Sequence, residues 1–423
     1  MHSARDMAAT PYPALCSARS THFHPVMVTG RLRVVLVKLH LYIGLSLGLL
    51  FVLLGLTGMA IAWREELDAW LNPDLLVASA PMTEAVSPAT VQAVTERLAA
   101  PPYGRPNLLM LPNHADGVFI AWYPVKGADG VVPGRSRQVM VDPVTLDVKG
   151  ERVWGEAGLS RRLLLPTLFH LHRYLLSGDT GKTITGVAGM LLLLTTLAGM
   201  VVWWPKMKLR SVVQAFRITH GGSWPRFNYS LHRAGGILAA PVLATIAFSG
   251  WYLNLPKWVT PIVAGVMTVT PPVKHMSAPA PAGARQLSAA QIMAAAQAQY
   301  PDAQVTRISL PRKPGDAFEV RLRQPGEVRK DSGATRLWLD AWTGQRLGAR
   351  DPHDAPAGDT LLNWLFPLHT GEAFGLPGRL FITLFGLAPL TFAVTGVLIW
   401  WKRRRGHQRH VVKTAQRSSM RGA

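Results

Sequence analysis

Residues 39–63 read LHLYIGLSLGLLFVLLGLTGMAIAW, without one Asp, Glu, Lys or Arg. About 20 apolar residues suffice for a helix to cross the hydrocarbon core of a bilayer. Core helices of soluble proteins are seldom charge-free for so long, so this stretch is read as a transmembrane span. Three more stretches share the property: 183–205, 234–256 and 380–401. The composition agrees. Of 423 residues 48% are hydrophobic and only 16% charged, against about 25% charged in soluble domains. A disordered chain or a nucleic-acid scaffold is excluded, and a four-helix membrane protein, mainly α, is expected.

The charge pattern orients the spans. The net charge is +21, which taken alone would suit nucleic acid. The segments before residue 39, between 205 and 234, and after 401 hold 5, 6 and 8 Lys and Arg. Against these 19 stands a single acid, Asp6, so +18 lies in those segments. Short cytoplasmic segments collect Lys and Arg, which puts both ends and the middle loop in the cytoplasm. Membrane topology thus accounts for the charge, and no nucleic-acid partner is expected. The run Lys402-Arg403-Arg404-Arg405 after Trp400-Trp401 reads as an interfacial anchor and stop signal. Residues 1–30 lack the apolar run of a cleavable signal, and Met27 is an alternative start. The single cysteine, Cys16, excludes an intramolecular disulfide framework, a Cys-ligated iron–sulfur cluster and a C-x-x-C-H haem attachment site.

The two long outer connections read alike. PATVQAVTERLA (88–99) and LSAAQIMAAAQAQY (287–300) are short amphipathic helix patterns, each followed by strand-like segments. QVMVDPVTLDVKG and TRLWLDAWTGQRLG then each give a strand, an Asp, a turn and a second strand. Two small α+β domains are expected. The spans repeat as well. Each is preceded by Leu-His, at His40, His172, His232 and His369, and ends near a small residue and a glycine, at Gly58, Gly199, Gly250 and Gly396. The spacing is 18 for His40–Gly58 and for His232–Gly250, and 27 for His172–Gly199 and for His369–Gly396. The chain therefore reads as a parallel duplication of helix, outer domain, helix, with a pseudo-twofold axis along the membrane normal.

Such an axis brings equivalent residues face to face. His40 and His232 are expected to meet near the cytoplasmic side, and His172 and His369 near the outer side. Intramembrane histidines mark function, and two facing imidazoles in a helix bundle are suited to axial ligation of haem iron. Two non-covalent b-type haems are expected. Gly44, Gly48, Gly235, Gly236, Ala239 and Ala240 follow His40 and His232 on their helices and leave room for a macrocycle, or simply permit close helix packing. Arg173 and Arg233 each follow a ligand candidate and are candidates for the propionates. Arg161, Arg162 and Arg379 are either further candidates or interfacial charges. His170 rivals His172, but LFHLH (168–172) aligns with LFPLH (365–369), setting His170 against a proline. Met59 and Met200 are read as packing. His114, His220, His275, His353, His407 and His410 have no repeat partner and are read as solvated. Spans without Asp, Glu, Lys or Arg argue against a transporter.

KLHLYIGLSLG (38–48), TGMAIAWREELD (57–68), LHRYLLSGDTGKTITG (171–186), LAGMVVWWP (197–205), LHRAGGI (231–237), LDAWTGQRL (339–347) and LFPLHTGEAFG (365–375) resemble the PepSY-associated transmembrane proteins, many of them tied to bacterial iron uptake. The resemblance implies PepSY-like outer domains in the periplasm and an inner-membrane location. Some members are di-haem reductases that release iron from ferric siderophores, and their ligand histidines would fall on His40, His172, His232 and His369. The implied organisation is a cytoplasmic segment (1–30), a first span (31–63), a periplasmic domain (64–160), an interfacial segment (161–182) and a second span (183–205). A basic cytoplasmic loop (206–230), a third span (231–256), a second periplasmic domain (257–360), an interfacial segment (361–378), a fourth span (379–401) and a basic tail (402–423) follow. The implied function is electron transfer across the membrane to a ferric siderophore or other ferric chelate. With no G-x-G-x-x-G signature, the donor is expected to be a quinol or a separate reductase. A non-redox PepSY regulator or chaperone of an iron-uptake system is the alternative. The outer segments' small net charge predicts no strong trap for an anion, leaving recognition to shape and to aromatics such as Trp122, Tyr123, Trp338 and Trp342.

Overall fold

The computed structural model describes residues 30–128, 130–205 and 208–421. Cys16 and Met27 lie outside the described residues. The helices are α1 (Gly30–Ile61), α2 (Arg64–Leu71), α3 (Pro73–Leu76), α4 (Pro88–Ala99), α5 (Arg161–Tyr174), α6 (Gly178–Trp203), α7 (Leu209–Phe216), α8 (Trp224–Asn254), α9 (Pro256–Ala264), α10 (Ala289–Gln299), α11 (Ala357–Thr370), α12 (Gly375–Phe385) and α13 (Ala388–Arg421). The strands are β1 (Leu108–Met110), β2 (Phe119–Gly127), β3 (Gly130–Val141), β4 (Val148–Trp154), β5 (Gln304–Ser309), β6 (Phe318–Arg323), β7 (Thr335–Leu339) and β8 (Arg346–Arg350).

Four helical stretches are long and apolar enough to cross a membrane: Gly30–Ile61, Gly178–Trp203, Trp224–Asn254 and Glu372–Gly406. The helix α6 packs against α1 and α8, and α13 packs against the same two. The fourth stretch is not one rod. It breaks at Gly386-Leu387, between α12 and α13. Pro389 opens α13, where its missing N–H costs no hydrogen bond. Gly386 lies against α1 so closely that a Cβ on Gly55 would stand 2.5 Å from the Gly386 carbonyl oxygen.

The two strand-bearing connections depart from the expectation of two separate α+β domains. Their strands form one antiparallel sheet in the order β4-β3-β2-β1-β5-β6-β7-β8. The seam is β1 on β5, with Leu108 opposite Ser309, Leu109 opposite Ile308 and Met110 opposite Arg307. One face of the sheet carries α4 and α10. Strand alternation turns Phe119, Ala121, Val139, Val141, Ile308, Phe318, Val320, Leu337 and Leu339 into that layer, against Val91, Val94 and Leu98 of α4 and Ile292, Met293 and Ala296 of α10. The entry to α10 is set by a capping box of Ser288 and Gln291. In each half an aspartate pins the last hairpin. Asp142 accepts from the Val144, Thr145 and Ser79 amides, and Asp340 from those of Trp342, Thr343 and Ala278. Both strand-bearing connections leave from the C-terminal ends of α1 and α8, so the sheet stands at one end of the bundle.

Candidate functional site

The four repeat histidines come together in two pairs. His40 on α1 faces His232 on α8, with ring centres 6.2 Å apart and ring planes at 80°. His172 on α5 faces His369 on α11, with ring centres 6.3 Å apart and planes at 69°.

Each imidazole is held in the same way. His40 Nδ1 lies 2.9 Å from the Thr195 carbonyl oxygen and 3.0 Å from Thr195 Oγ1. His172 Nδ1 is 3.0 Å from Thr57 Oγ1, His232 Nδ1 2.8 Å from Thr395 Oγ1, and His369 Nδ1 2.9 Å from Ser249 Oγ and 3.2 Å from the Ile246 carbonyl oxygen. A carbonyl oxygen only accepts, so Nδ1 of His40 and of His369 carries the proton. The Thr57, Ser249 and Thr395 hydroxyls each donate to the carbonyl one turn back, at 2.7 Å. They are therefore left to accept from their histidines. All four rings thus take the Nδ1–H tautomer, with the Nε2 lone pair free to ligate. The span glycines form the floor of each ring. A Cβ on Gly199 would stand 3.1 Å from His40 Cε1, on Gly58 3.2 Å from His172 Cε1, on Gly250 3.3 Å from His369 Cε1 and on Gly396 3.5 Å from His232 Cε1. Each histidine thus packs on the glycine of a neighbouring span, not on the glycine that its own spacing of 18 or 27 reaches.

The pairs meet the geometric demand of a shared metal. An imidazole nitrogen sits about 2 Å from a metal it ligates and about 1.1 Å from its own ring centre, so two on one metal place their centres about 6.2 Å apart. Two imidazoles alone are too few ligands for a bare ion. Among the described residues no cluster of three or more His, Cys, Asp or Glu forms. A metal macrocycle would bring its remaining ligands with it, and a pair of neutral imidazoles could supply the rest. A cavity of about 520 Å³ opens at the second pair, lined among others by Phe51, Gly58, His172, Arg173, Leu243, His369 and Arg379. That volume lies within the range of about 300–1,000 Å³ typical of ligand sites. Burial pushes His172 down to about 3 and His369 to about 4, which keeps both neutral. At the first pair, a Cβ on Gly44 or Gly236 would meet nothing within 4 Å, whereas Gly48 packs on Ala393 and Gly235 on Phe392. Of the small residues expected to leave room there, Gly44 and Gly236 face open space and Gly48 and Gly235 are packing positions.

The arginines divide. Arg173 and Arg233 each bind a main-chain oxygen, of Leu253 and Gln214, and each keeps a buried Nε with no partner. A buried guanidinium nitrogen without an acceptor is costly, and a carboxylate of a bound group would satisfy it. Arg161 and Arg162 are engaged by Asp74, and Arg379 by Glu66 at 2.8 Å, so these three already have counterions. His170 turns away from the pair and stacks on Tyr174 with ring centres 5.4 Å apart, beside Trp154 and Phe169. Of the histidines read as solvated, His114 is exposed at the cavity near Glu65, whereas His275 is half-buried on Trp338, ring centres 4.6 Å apart. The aromatics expected to recognise substrate are engaged within the fold. Trp122 packs on Trp154, Tyr123 donates to the Gly104 carbonyl and Trp342 Nε1 to that of Ala278. Sequence reasoning missed the hydroxyl supports. Thr57, Ser249 and Thr395 stand directly before their glycines, but Thr195 lies one turn earlier than the pattern implies.

The PepSY-associated TM region family model matches residues 37–403. The chain belongs to that family. No curated protein matches it. The match spans the four apolar stretches, both imidazole pairs and the sheet.

Proposed function

We propose that this PepSY-associated membrane protein is a di-haem electron carrier of the bacterial inner membrane that reduces a ferric chelate, such as a ferric siderophore, on the periplasmic side. The observation that carries the reading is the pair of facing imidazoles, each ring held by a hydroxyl or carbonyl on Nδ1. In this reading the chain is a duplicated helix–PepSY–helix unit, both termini are cytoplasmic and the sheet is periplasmic. The excess of Lys and Arg in the end segments and the 206–230 loop supports that orientation.

His40 with His232, and His172 with His369, would hold the two haems, whose iron supplies one-electron chemistry when bound. Thr195, Thr57, Thr395 and Ser249 fix the tautomer and ring orientation. The four glycines let the rings lie against helix backbone. Arg173 and Arg233 would neutralise propionates. Burial around the second pair holds His172 and His369 neutral. Electrons from a quinol or a separate reductase would enter on the cytoplasmic side, and a ferric chelate would accept one at the periplasmic side, leaving ferrous iron that hard oxygen chelators bind more weakly. The non-redox alternative, a PepSY regulator or chaperone, lacks an observation that favours it.

The test is to reduce the purified full chain anaerobically, add ferric chelates and follow the haem bands. Rapid reoxidation by a ferric chelate supports the reading. Haem-free protein from cells supplied with haem, or reduced bands that ferric chelates leave unchanged, would overturn it. A smaller effect is expected for Thr395→Val, which removes the acceptor of His232 Nδ1 while keeping the shape. Loss of such a support costs about 10–100-fold in metal-site affinity, read as haem lost from one of two sites on dilution.

A further inference from the structure

The second half of the sheet carries a line of arginines. Arg307 on β5 stands opposite Arg321 on β6, Arg321 opposite Arg336 on β7, and Arg336 opposite Arg350 on β8. Their neighbours Val320, Leu322 and Leu337 point into the core beneath α4 and α10, so alternation puts the arginines on the other face. That face looks toward the bundle: Arg336, Arg350 and Arg329 lie within electrostatic reach of Tyr252 near the end of α8, as does Asp359 of α11. Arg329 lies over the Phe366 ring, 4.2 Å from its centre. Phe366, Lys330 and Asp331 line the cavity of the His172–His369 pair.

Like charges directly opposite one another on neighbouring strands destabilise a sheet. Here three such contacts follow in series. Arg321 is 9% exposed, and the Nε atoms of Arg307 and Arg321 are buried without a partner. None of the four has a carboxylate within ion-pair distance among the described residues. Glu319, two residues along β6, shares the face, and Asp331, already paired with Arg329, lies within electrostatic reach of Arg321. Burial, then Arg336, Arg329 and Arg307, push Arg321 down to about 9, so it stays charged at neutral pH in an unfavourable field. The first half resolves the same position differently. There the row is Trp122, Gln138 and Arg152, and its one guanidinium binds Asp68 at 2.8 Å.

We propose that the row Arg307, Arg321, Arg336 and Arg350 is the docking site for an anionic, oxygen-rich ferric chelate bearing carboxylates. The proposal rests on the reading of the protein as a ferric-chelate reductase and names its substrate class. Guanidinium forks match carboxylate geometry with two parallel hydrogen bonds. An anion bound across the row would relieve three cross-strand repulsions at once, next to the cavity where the electron would be delivered. The small net charge of the outer segments conceals this concentration, because their acids are spent elsewhere.

The test uses the full chain in detergent and gallium(III) citrate, a redox-inert anionic chelate, with a cationic gallium hydroxamate chelate as control. The wild type is expected to bind the citrate chelate, more weakly as salt rises, and to melt at a higher temperature with it. Arg321→Gln with Arg336→Gln should weaken binding at least tenfold. Arg336→Glu, which builds the counterion in, should abolish binding and raise the melting temperature of the ligand-free protein. Equal affinity in wild type and variants overturns the proposal. So does a wild type that ignores gallium citrate but is stabilised by anionic lipid, which would make the row a headgroup site. If gallium citrate binds through the row and ferric citrate still fails to reoxidise the haems, the docking site stands and the reductase reading falls.

Discussion

Replacing His369 by alanine is expected to lower the haem content of the purified protein from two per chain to one, and His172→Ala should do the same. The two rings face each other at 6.3 Å across one cavity, so removing either leaves its partner as the only imidazole of that pair. Loss of a ligand exceeds the loss of a supporting hydrogen bond, itself worth about 10–100-fold in affinity. Oxidation by a ferric chelate should therefore fall by at least about a hundredfold. The His40–His232 pair takes its supports from α6 and α13, neither of which contributes a ligand to the other pair. Reduction of the remaining haem by the donor should persist. His40→Ala should give the mirror result, one haem kept and electron entry blocked. A pyridine haemochrome count and reduced-minus-oxidised spectra read both outcomes. If His172→Ala and His369→Ala removed different haems, the pairing would be wrong.

How far that pairing is legible in the sequence depends on what kind of information carries it. A charge-free run states its own environment, so the apolar helices can be read one at a time. The matched spacings of 18 and 27 compare one half of the chain with the other, and an axis relating the halves suffices to set His40 against His232 and His172 against His369. Alignment also favoured His172 over His170, and the structure turns His170 into an aromatic stack. The single sheet could not be read this way. Its seam is a three-residue strand, β1, pairing with β5 from the other half, and so short a segment carries almost no periodicity. The arginine row is hidden for a related reason. Arg307, Arg321, Arg336 and Arg350 are unremarkable in sequence, and only strand register sets them side by side. The fourth apolar stretch reads as continuous because hydropathy does not register the approach of Gly386 to Gly55 that accompanies its break.

Asp68→Ala is expected to destabilise the outer sheet by about 3–5 kcal/mol, the range seen when one partner of a buried ion pair is removed. The Asp68 and Arg152 side chains are only 6% and 5% exposed, with Asp68 Oδ2 2.8 Å from Arg152 Nη2. Four elements converge on them. Asp68 belongs to α2, just beyond α1, and accepts from Asn72 Nδ2 at 2.9 Å. Arg152 on β4 donates to Gln138 Oε1 on β3 at 2.7 Å and to the Arg162 carbonyl on α5 at 3.1 Å. Alanine at 68 leaves a guanidinium buried with no counterion, and water cannot reach it without opening the joint between sheet and bundle. Because α5 carries His172, loosening that joint should also lower occupancy of the outer haem while sparing the inner one. The pair itself need not be strongly stabilising. Asp68→Leu with Arg152→Met, which removes both charges and keeps the volume, should recover most of the loss. Chemical unfolding of the two single variants and the double gives the coupling between the residues. A single-variant cost below about 1 kcal/mol, or a double variant as unstable as the sum of the singles, would show that Asp68 is not what holds Arg152 in the fold.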